Sequence, residues 1–484
     1  MNRLEAALIV VGAGAAGLAA AIAASEAGAR TIVLDKAPDI SDTNTSRSGG
    51  SVTIALERER YLDAPRLSAE EKVEEALSLT EGAADPELVR TWRENVDDMI
   101  QWLSRAGLKW GKGYSSDPPV KNRRTALGYG PGLNKQLLAI AHKKGCAVHF
   151  DARAEKLLVD GAGKVSGVRV RTVEGLREFQ AGAAILATGG FQANQEMLLK
   201  YFGPQFGPDF AYKVRLTGSP FSTGDGLLMA QELGAKLVNL DQCHSRNIDS
   251  SWVPGSPAMR GPYRELQYPL VHYSIWVNKW GQRFMDEGNT SDSAANSILV
   301  QPGMEVAYIF DEKIKRLKPE LVAGFQPAEV LFTGASLDEI AIHIGVDVEA
   351  LKRTIEEYNQ AVRTGRAMEL GVPKKDFLMP IDTPPFYAVH PVWAGLNCTM
   401  GGPKINAKAQ VMDRDDVPIP GLFACGEMIG GFFSGKYHKT PAGTSYYIGN
   451  YQITASSLTT CLVFARIAGT NAASWSRTVA ATEL

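Results

Sequence analysis

The pattern of apolar and polar residues along the chain predicts an alternation of strands and helices. Near the N-terminus, two short apolar runs at residues 7–11 and 31–34 predict buried strands, and an alanine-rich stretch at 18–27 between them predicts a helix. We predict further strands at residues 147–150, 165–170, 183–187 and 421–425. Amphipathic or apolar periodicity predicts helices at residues 70–79, 86–106, 336–345, 348–363 and 456–468.

A glycine-rich turn links the first predicted strand to the first predicted helix. Gly12, Gly14 and Gly17 match the G-x-G-x-x-G pattern, and Asp35 ends the second strand 18 residues after Gly17. In this pattern the glycines permit a tight turn, a close approach of pyrophosphate and close helix–strand packing, while the acid accepts hydrogen bonds from ribose hydroxyls. The sequence therefore predicts a Rossmann-like dinucleotide site.

The composition and the pattern of predicted elements change twice along the chain. From about residue 222 to 372 it is irregular and carries Trp, Arg and Pro, and after Pro384 short strands and glycines return. We predict an α/β protein whose nucleotide-binding domain is formed from both chain ends, residues 1–221 and 373–484. Residues 222–372 would form an inserted α+β capping domain that holds the substrate.

Composition and charge exclude several classes of function. The 484 residues carry 51 Lys plus Arg against 53 Asp plus Glu, so the chain lacks the basic field of a nucleic-acid-binding protein. The five cysteines are widely spaced, which predicts neither a disulfide framework nor a metal site and favours the cytoplasm. Glycines interrupt the charge-free run at residues 6–24, so we predict no membrane span.

Eight segments together carry a family resemblance. They lie at residues 10–29, 187–190 (ATGG), 222–230 (STGDGLLMA), 281–288 (GQRFMDEG), 384–389 (PPFYAV), 399–402 (TMGG), 421–427 (GLFACGE) and 462–469 (LVFARIAG). In this order they resemble the fumarate reductase and succinate dehydrogenase flavoprotein family, which includes tricarballylate dehydrogenase and the 3-ketosteroid dehydrogenases. The resemblance implies FAD under a capping domain, and the absence of histidine from residues 45–51 implies that FAD is bound non-covalently.

The same resemblance implies a set of cofactor-binding residues. It assigns Gly12, Gly14, Gly17 and Asp35 to the adenosine diphosphate half of FAD and Glu427 to the ribityl chain. The further positions that it implies are Ala16, Lys36, Ser48, Gly49, Gly50, Ala154, Thr188, Gly189, Asp225, Ser456 and Ser457. A helix beginning near Ser456 would direct its N-terminus at the flavin ring.

The substrate positions depart from the pattern of fumarate reductases. Ser291 stands where those enzymes carry a proton-donating arginine, Cys398 replaces a carboxylate-binding histidine, and Tyr451 aligns near a second carboxylate anchor. Only His244 keeps a counterpart. Because two desolvated carboxylates need fixed cations, reduction of a dicarboxylate is not the predicted activity.

Tyrosines near the C-terminus suggest another chemistry. The candidate residues are Tyr446, Tyr447 and Tyr451, near Lys436, His438 and Lys439. We predict an FAD-dependent dehydrogenase (desaturase) that introduces a double bond α,β to a carbonyl, in a cyclic ketone or keto acid. The hydride would pass to flavin N5 and the proton to a tyrosinate whose pKa neighbouring cations lower. Ser291 would relay a proton, and His244 would orient the substrate.

Three alternatives stay open. The tyrosines form a surface loop, or the chain is a tricarballylate dehydrogenase or fumarate reductase-like enzyme whose Arg260 or Arg264 holds a carboxylate, or it is a flavin-binding module without catalysis. The predicted partners are a small-molecule carbonyl substrate and an electron acceptor that the sequence does not identify.

Overall fold

The structure is a computed structural model of the 484-residue chain. It describes residues 4–53, 68–78, 80, 82–111, 123–249, 270, 272–288, 291–319, 322, 330–439, 443, 445–449 and 457–482.

An eight-stranded sheet, the first sheet, joins the two ends of the chain. Along its main path it contains, in spatial order, Gln410–Met412, Pro418–Ala424, Gly175–Leu186, Leu4–Val11, Thr31–Leu34 and Ala147–His149. The last five of these strands are mutually parallel, and Arg153–Val159 and Val165–Thr172 extend the sheet as antiparallel strands. Parallel strands whose buried residues are almost all apolar need covering on both faces. This sheet confirms the predicted α/β class.

Helices cover the first sheet and build the rest of the molecule. Their bounds are Ala15–Glu26, Ala69–Ser78, Pro86–Ala106, Tyr129–Lys143, Gln195–Phe206, Phe210–Lys213, Asp225–Glu232, Ser291–Ile298, Glu312–Leu317, Leu337–Ile344, Val348–Arg363 and Ser457–Thr482. Short 3-10 turns span Ile40–Asp42, Asn44–Arg47, Pro302–Met304 and Ala367–Glu369. Within the described residues, no helix combines the length and apolar character needed to cross a membrane.

A second sheet of six strands is built around the long strand Phe386–Thr399. This strand pairs with Arg215–Leu216, Cys243–Asp249, Glu305–Asp311 and Leu331–Gly334, and Ile275–Asn278 pairs with Glu305–Asp311. The long strand therefore lies on the C-terminal side of the predicted boundary at residue 372, yet it pairs with strands of the segment 222–372. The boundaries 1–221, 222–372 and 373–484 stay a prediction.

Three small sheets complete the architecture. Leu237–Val238 pairs with Gly402–Pro403, and Arg123–Ala126 pairs with both Ser51–Thr53 and Trp110–Gly111. Gly435–Lys439 and Ser445–Gly449 form an antiparallel hairpin, called the tyrosine hairpin below. The sequence analysis predicted no strand in this segment.

The last helix is longer than its sequence pattern predicts. It runs over Ser457–Thr482, whereas the prediction ended at residue 468, just before Gly469. A Cβ at Gly469 would lie 2.2 Å from the carbonyl oxygen of Ala20, so the last helix passes very close to the helix Ala15–Glu26. Gly469 therefore lies inside the helix and does not end it. Its lack of a side chain permits the close backbone contact with Ala20.

The close contact at Gly469 generates a stability prediction. In Gly469→Ala the new methyl group meets backbone, so the free energy of unfolding should fall by about 2 kcal/mol or more. Chemical denaturation would measure the change. The matched control is Gly161→Ala, where a new Cβ meets no atom within 4 Å. Equal stability of the two variants would contradict the proposed packing constraint.

Candidate active site

A single deep cleft contains most of the predicted cofactor positions. It encloses about 1340 Å³ of empty space, including its solvent-open part. Of the predicted residues it is lined by Gly12, Gly14, Ala16, Asp35, Lys36, Ser48, Gly49, Gly50, Ala154, Thr188, Gly189, Asp225, Glu427 and Ser457, together with His244. These side chains and backbone groups come from both ends of the chain and from the segment between them.

The glycine motif makes very close backbone contacts at the cleft. Gly12 has a φ of 112°, and a Cβ there would lie 2.2 Å from the carbonyl oxygen of Ala187. A Cβ on Gly17 would lie 1.8 Å from the carbonyl oxygen of Gly12. Gly17 is therefore a packing residue behind the turn, while Gly12 and Gly14 line the cleft itself.

Asp35 holds the turn in place from the end of the second strand. Its carboxylate accepts hydrogen bonds from the backbone N–H groups of Ala13, at 2.6 Å, and Ala37, at 2.8 Å. Burial raises the pKa of Asp35, and these two backbone hydrogen bonds oppose the shift. The carboxylate is thus fixed at the cleft wall, where it can also accept from ribose hydroxyls.

A charged cluster surrounds Asp225. The Lys36 ammonium and the Arg153 guanidinium each lie 3.0 Å from Asp225 Oδ2, and Thr223 Oγ1 donates to Oδ1 at 2.8 Å. Burial opposes ionisation of Asp225, but Lys36, Thr223 and Arg153 lower its pKa on balance. The cluster connects Lys36, which lies just beyond the second strand, to the start of the helix Asp225–Glu232.

Glu427 is the most perturbed acid of the cleft. Its Oε2 accepts a hydrogen bond of 2.7 Å from Asn44 Nδ2, and the Asn44 side chain also accepts from the Ser219 N–H at 2.9 Å. Burial raises the pKa of Glu427 to about 7, although hydrogen bonds and the charge of Arg246 oppose the shift. Glu427 therefore titrates near neutrality and joins three distant segments of the chain.

His244 and Arg246 lie on one strand, Cys243–Asp249, and both line the cleft. His244 is buried and stands opposite Cys398 in the strand pairing. Arg246 is half-buried and donates through Nη1 to the carbonyl oxygen of Arg47 at 3.3 Å. Burial raises the pKa of the Cys398 thiol well above its usual range, so Cys398 supplies no charge beside His244.

The tyrosine hairpin places Tyr447 outside the set of residues that line the described cleft. Tyr447 is buried, its hydroxyl donates to Gln242 Oε1 at 3.3 Å, and its ring centroid lies 4.9 Å from that of Tyr437. Burial is the main cause that raises the pKa of Tyr447, and the nearby Cys243 and Asp241 raise it further. This direction is the opposite of what a tyrosinate base requires.

The other predicted catalytic residues lie wholly or partly outside the described residues. Tyr446 is described only through its backbone, which pairs with His438, and Ser291 only as the first residue of the helix Ser291–Ile298. Tyr451 and Ser456, as well as the alternative anchors Arg260 and Arg264, lie outside the described residues. Their roles stay predictions.

A comparison with known protein families identifies the family of this chain. The family described as "FAD binding domain" matches residues 7–440. The chain belongs to this flavoprotein family. It is an FAD-dependent oxidoreductase acting on CH–CH or C=C groups. The residues fit the cofactor, since the glycine turn and Asp35, which suit a pyrophosphate and a ribose, line the same cleft as Glu427.

Two relatives and one solved structure are similar to this chain. The chain is 32% identical over 474 residues to the probable fumarate reductase Ifc3 of Shewanella frigidimarina. This alignment covers 96% of this chain and 74% of the relative. It is 30% identical over 488 residues to the urocanate reductase of Eggerthella lenta, again covering 96% and 74% of the two chains. The 3-ketosteroid-Δ4-(5α)-dehydrogenase of Rhodococcus jostii has the same fold, with a TM-score of 0.74, 22% identity and 97% coverage of both chains.

Several residues of the cleft are not among the positions predicted from the sequence. Asn44, Arg246 and Asn397 line it and were not predicted. The signal for Arg246 was its position two residues after His244, since alternate residues of a strand share a face. Asn44 and Asn397 carried no comparable signal, because only the tertiary fold brings them to Glu427.

The raised pKa of Glu427 generates a pH prediction for the FAD-free protein. The folded state holds its proton up to about pH 7, whereas the unfolded chain releases it near its ordinary pKa of 4.5. The resulting stabilisation is present below pH 4.5 and is lost as the pH rises to about 7, by up to about 3 kcal/mol. Denaturation across this pH range should show a decline that Glu427→Gln reduces, while the part due to the raised pKa of Asp35 remains.

The control for this experiment is Glu356→Gln, an exposed carboxylate in the helix Val348–Arg363. This variant should keep the decline of the unmodified protein. An unchanged decline in Glu427→Gln would show that another group causes it.

Proposed function

We propose that this chain is an FAD-dependent oxidoreductase that reduces, or in the reverse direction forms, a carbon–carbon double bond conjugated to one carboxylate. The observation that carries the proposal is the pair His244 and Arg246, which line the same cleft as the dinucleotide motif. When bound there, FAD supplies the hydride chemistry. The protein binds the substrate, orients it and stabilises its charge.

Arg246 is the candidate anchor for the substrate carboxylate. A guanidinium is always charged and binds carboxylates through paired hydrogen bonds. Its positive charge lowers the pKa of both Glu427 and Cys398, which agrees with a position near these two groups. Cys398 is the position at which the family resemblance places a carboxylate-binding histidine. Arg246 would therefore replace a lost anchor from the neighbouring strand.

His244 would stabilise the carbonyl side of the conjugated system. A double bond next to a carboxylate accepts a hydride at its far carbon, and negative charge then develops on the carboxylate oxygens. A proton drawn from solvent must then reach the α-carbon to complete the reduction. A buried imidazole and a guanidinium on one strand are suitable donors for this charge. The relatives described as fumarate reductase and urocanate reductase act on unsaturated carboxylates, which supports the same substrate class.

Oxidation of a cyclic ketone or keto acid is the second candidate. Cys398 favours it, because an uncharged thiol in place of a cationic anchor suits an uncharged carbonyl. Under this alternative the base would be Tyr446 or Tyr451, since the buried Tyr447 resists ionisation. Ser291 would keep its proposed role as a proton relay.

Anaerobic flavin titrations test the choice between the two candidates. We expect acrylate and crotonate to reoxidise the reduced holoenzyme, and fumarate and 2-cyclohexen-1-one to do so much more slowly. In Arg246→Met, kcat/KM for crotonate should fall about 100-fold because a charged hydrogen-bond donor is lost. Flavin absorbance follows each reaction.

The control variant is Arg169→Met, which removes an arginine that pairs with Glu178 on the first sheet at 2.9 Å. It should leave the reaction with crotonate unchanged. Fast reoxidation by the enone alone, or bleaching of the oxidised flavin by saturated cyclic ketones alone, would reject the carboxylate proposal in favour of the ketone.

A further inference from the structure

His244 lies at an irregularity of the second sheet. Across the strand pairing His244 faces Cys398, but the next residue, Ser245, faces Leu396. The partner strand therefore accommodates one additional residue, Asn397, which lines the cleft. Such a β-bulge changes the direction of nearby side chains and interrupts the regular ladder of backbone hydrogen bonds.

The side chain of Asn296 binds the backbone on both sides of His244. Its Oδ1 accepts from the Ser245 N–H at 2.9 Å, and its Nδ2 donates to the Cys243 carbonyl oxygen at 2.9 Å. Asn296 is 1% exposed and Ser245 is fully buried, so these bonds are shielded from solvent. One amide side chain thus bonds both peptide groups that flank His244, next to the bulge.

The helix that carries Asn296, Ser291–Ile298, also holds the tyrosine hairpin. Ser297 Oγ accepts from the Tyr447 N–H at 3.0 Å. Shortly after the helix, Gln301 Nε2 donates to the Ser445 carbonyl oxygen at 2.7 Å. The helix therefore has two separate backbone attachments, one to the strand of His244 and one to the hairpin.

We propose that Asn296 is a positioning residue that fixes His244 in the cleft. A buried amide that bonds both flanking peptide groups restricts the backbone of His244, and hence the direction of its imidazole. Asn296 acts through His244 and does not itself line the cleft among the described residues. The inference deepens the proposed function, since it takes His244 to contact the substrate.

Histidine NMR of the holoenzyme tests the positioning without any substrate. The chain has seven histidines, and His244→Gln assigns the signals of His244 by their loss. Asn296→Ala should shift or broaden the His244 ring signals and leave the others in place. Gln301→Ala is the matched control, because it removes a buried amide that bonds the hairpin and not the strand of His244. Unchanged His244 signals in Asn296→Ala would overturn the proposal.

Asn296→Asp provides a second variant in case Asn296→Ala does not fold. It keeps an acceptor for the Ser245 N–H and loses the donor to Cys243. We expect an intermediate change of the His244 signals. A change confined to other histidines in this variant would also count against the proposal.

A double-mutant cycle then connects the positioning to the reaction. With crotonate as substrate, Asn296→Ala should raise KM about tenfold, yet change it less than about twofold in a His244→Gln background. Equal effects in both backgrounds would show that Asn296 does not act through His244. If His244→Gln alone leaves KM unchanged, the assigned role of His244 is wrong, and the NMR result alone decides the positioning.

Discussion

The close approach of three backbone segments at Gly12 is the constraint on which the nucleotide site depends. The carbonyl oxygen of Gly12 lies where a Cβ of Gly17 would stand, and the carbonyl oxygen of Ala187 lies where a Cβ of Gly12 would stand. Only glycine fits both positions, because each clash would be with backbone that cannot rotate away. The contact brings the first strand, the helix after it and the strand Gly175–Leu186 to one edge of the first sheet.

This edge brings the chain ends together. The strand Pro418–Ala424 pairs with Gly175–Leu186, so Glu427 follows it into the cleft that the N-terminal glycines border. The last helix packs against the helix Ala15–Glu26 through Gly469. A cofactor bound in the cleft would contact segments more than 400 residues apart in sequence, and its binding energy would stabilise their association.

Charge is distributed unevenly in the cleft. Asp225 is ionised between Lys36 and Arg153, and burial raises the pKa of Glu427 to about 7. Arg246 places a guanidinium near Cys398. A substrate carboxylate bound beside Arg246 would therefore meet positive charge. Under the proposed function Arg246 would hold one carboxylate, whereas a dicarboxylate requires two anchors.

Much of the architecture followed from local patterns in the sequence. The strand, glycine turn, helix and acid of residues 7–35 are specified locally, because side-chain size and apolar periodicity there suit one arrangement. The end of the last helix was not predictable, because a glycine is locally a signal that a helix ends. Only the contact with Ala20 shows why a glycine stands at position 469 inside the helix.

The candidate site divides in the same way. The sequence by itself determined the glycine turn with Asp35 and indicated His244, because these residues carry recognisable spacing or family resemblance. Only the tertiary structure brought Asn44, Arg246 and Asn296 to their partners and buried Tyr447 outside the described cleft lining. The physical reason is that burial and long-range hydrogen bonding, and not local sequence, decide which polar side chains face the cleft and which ionise.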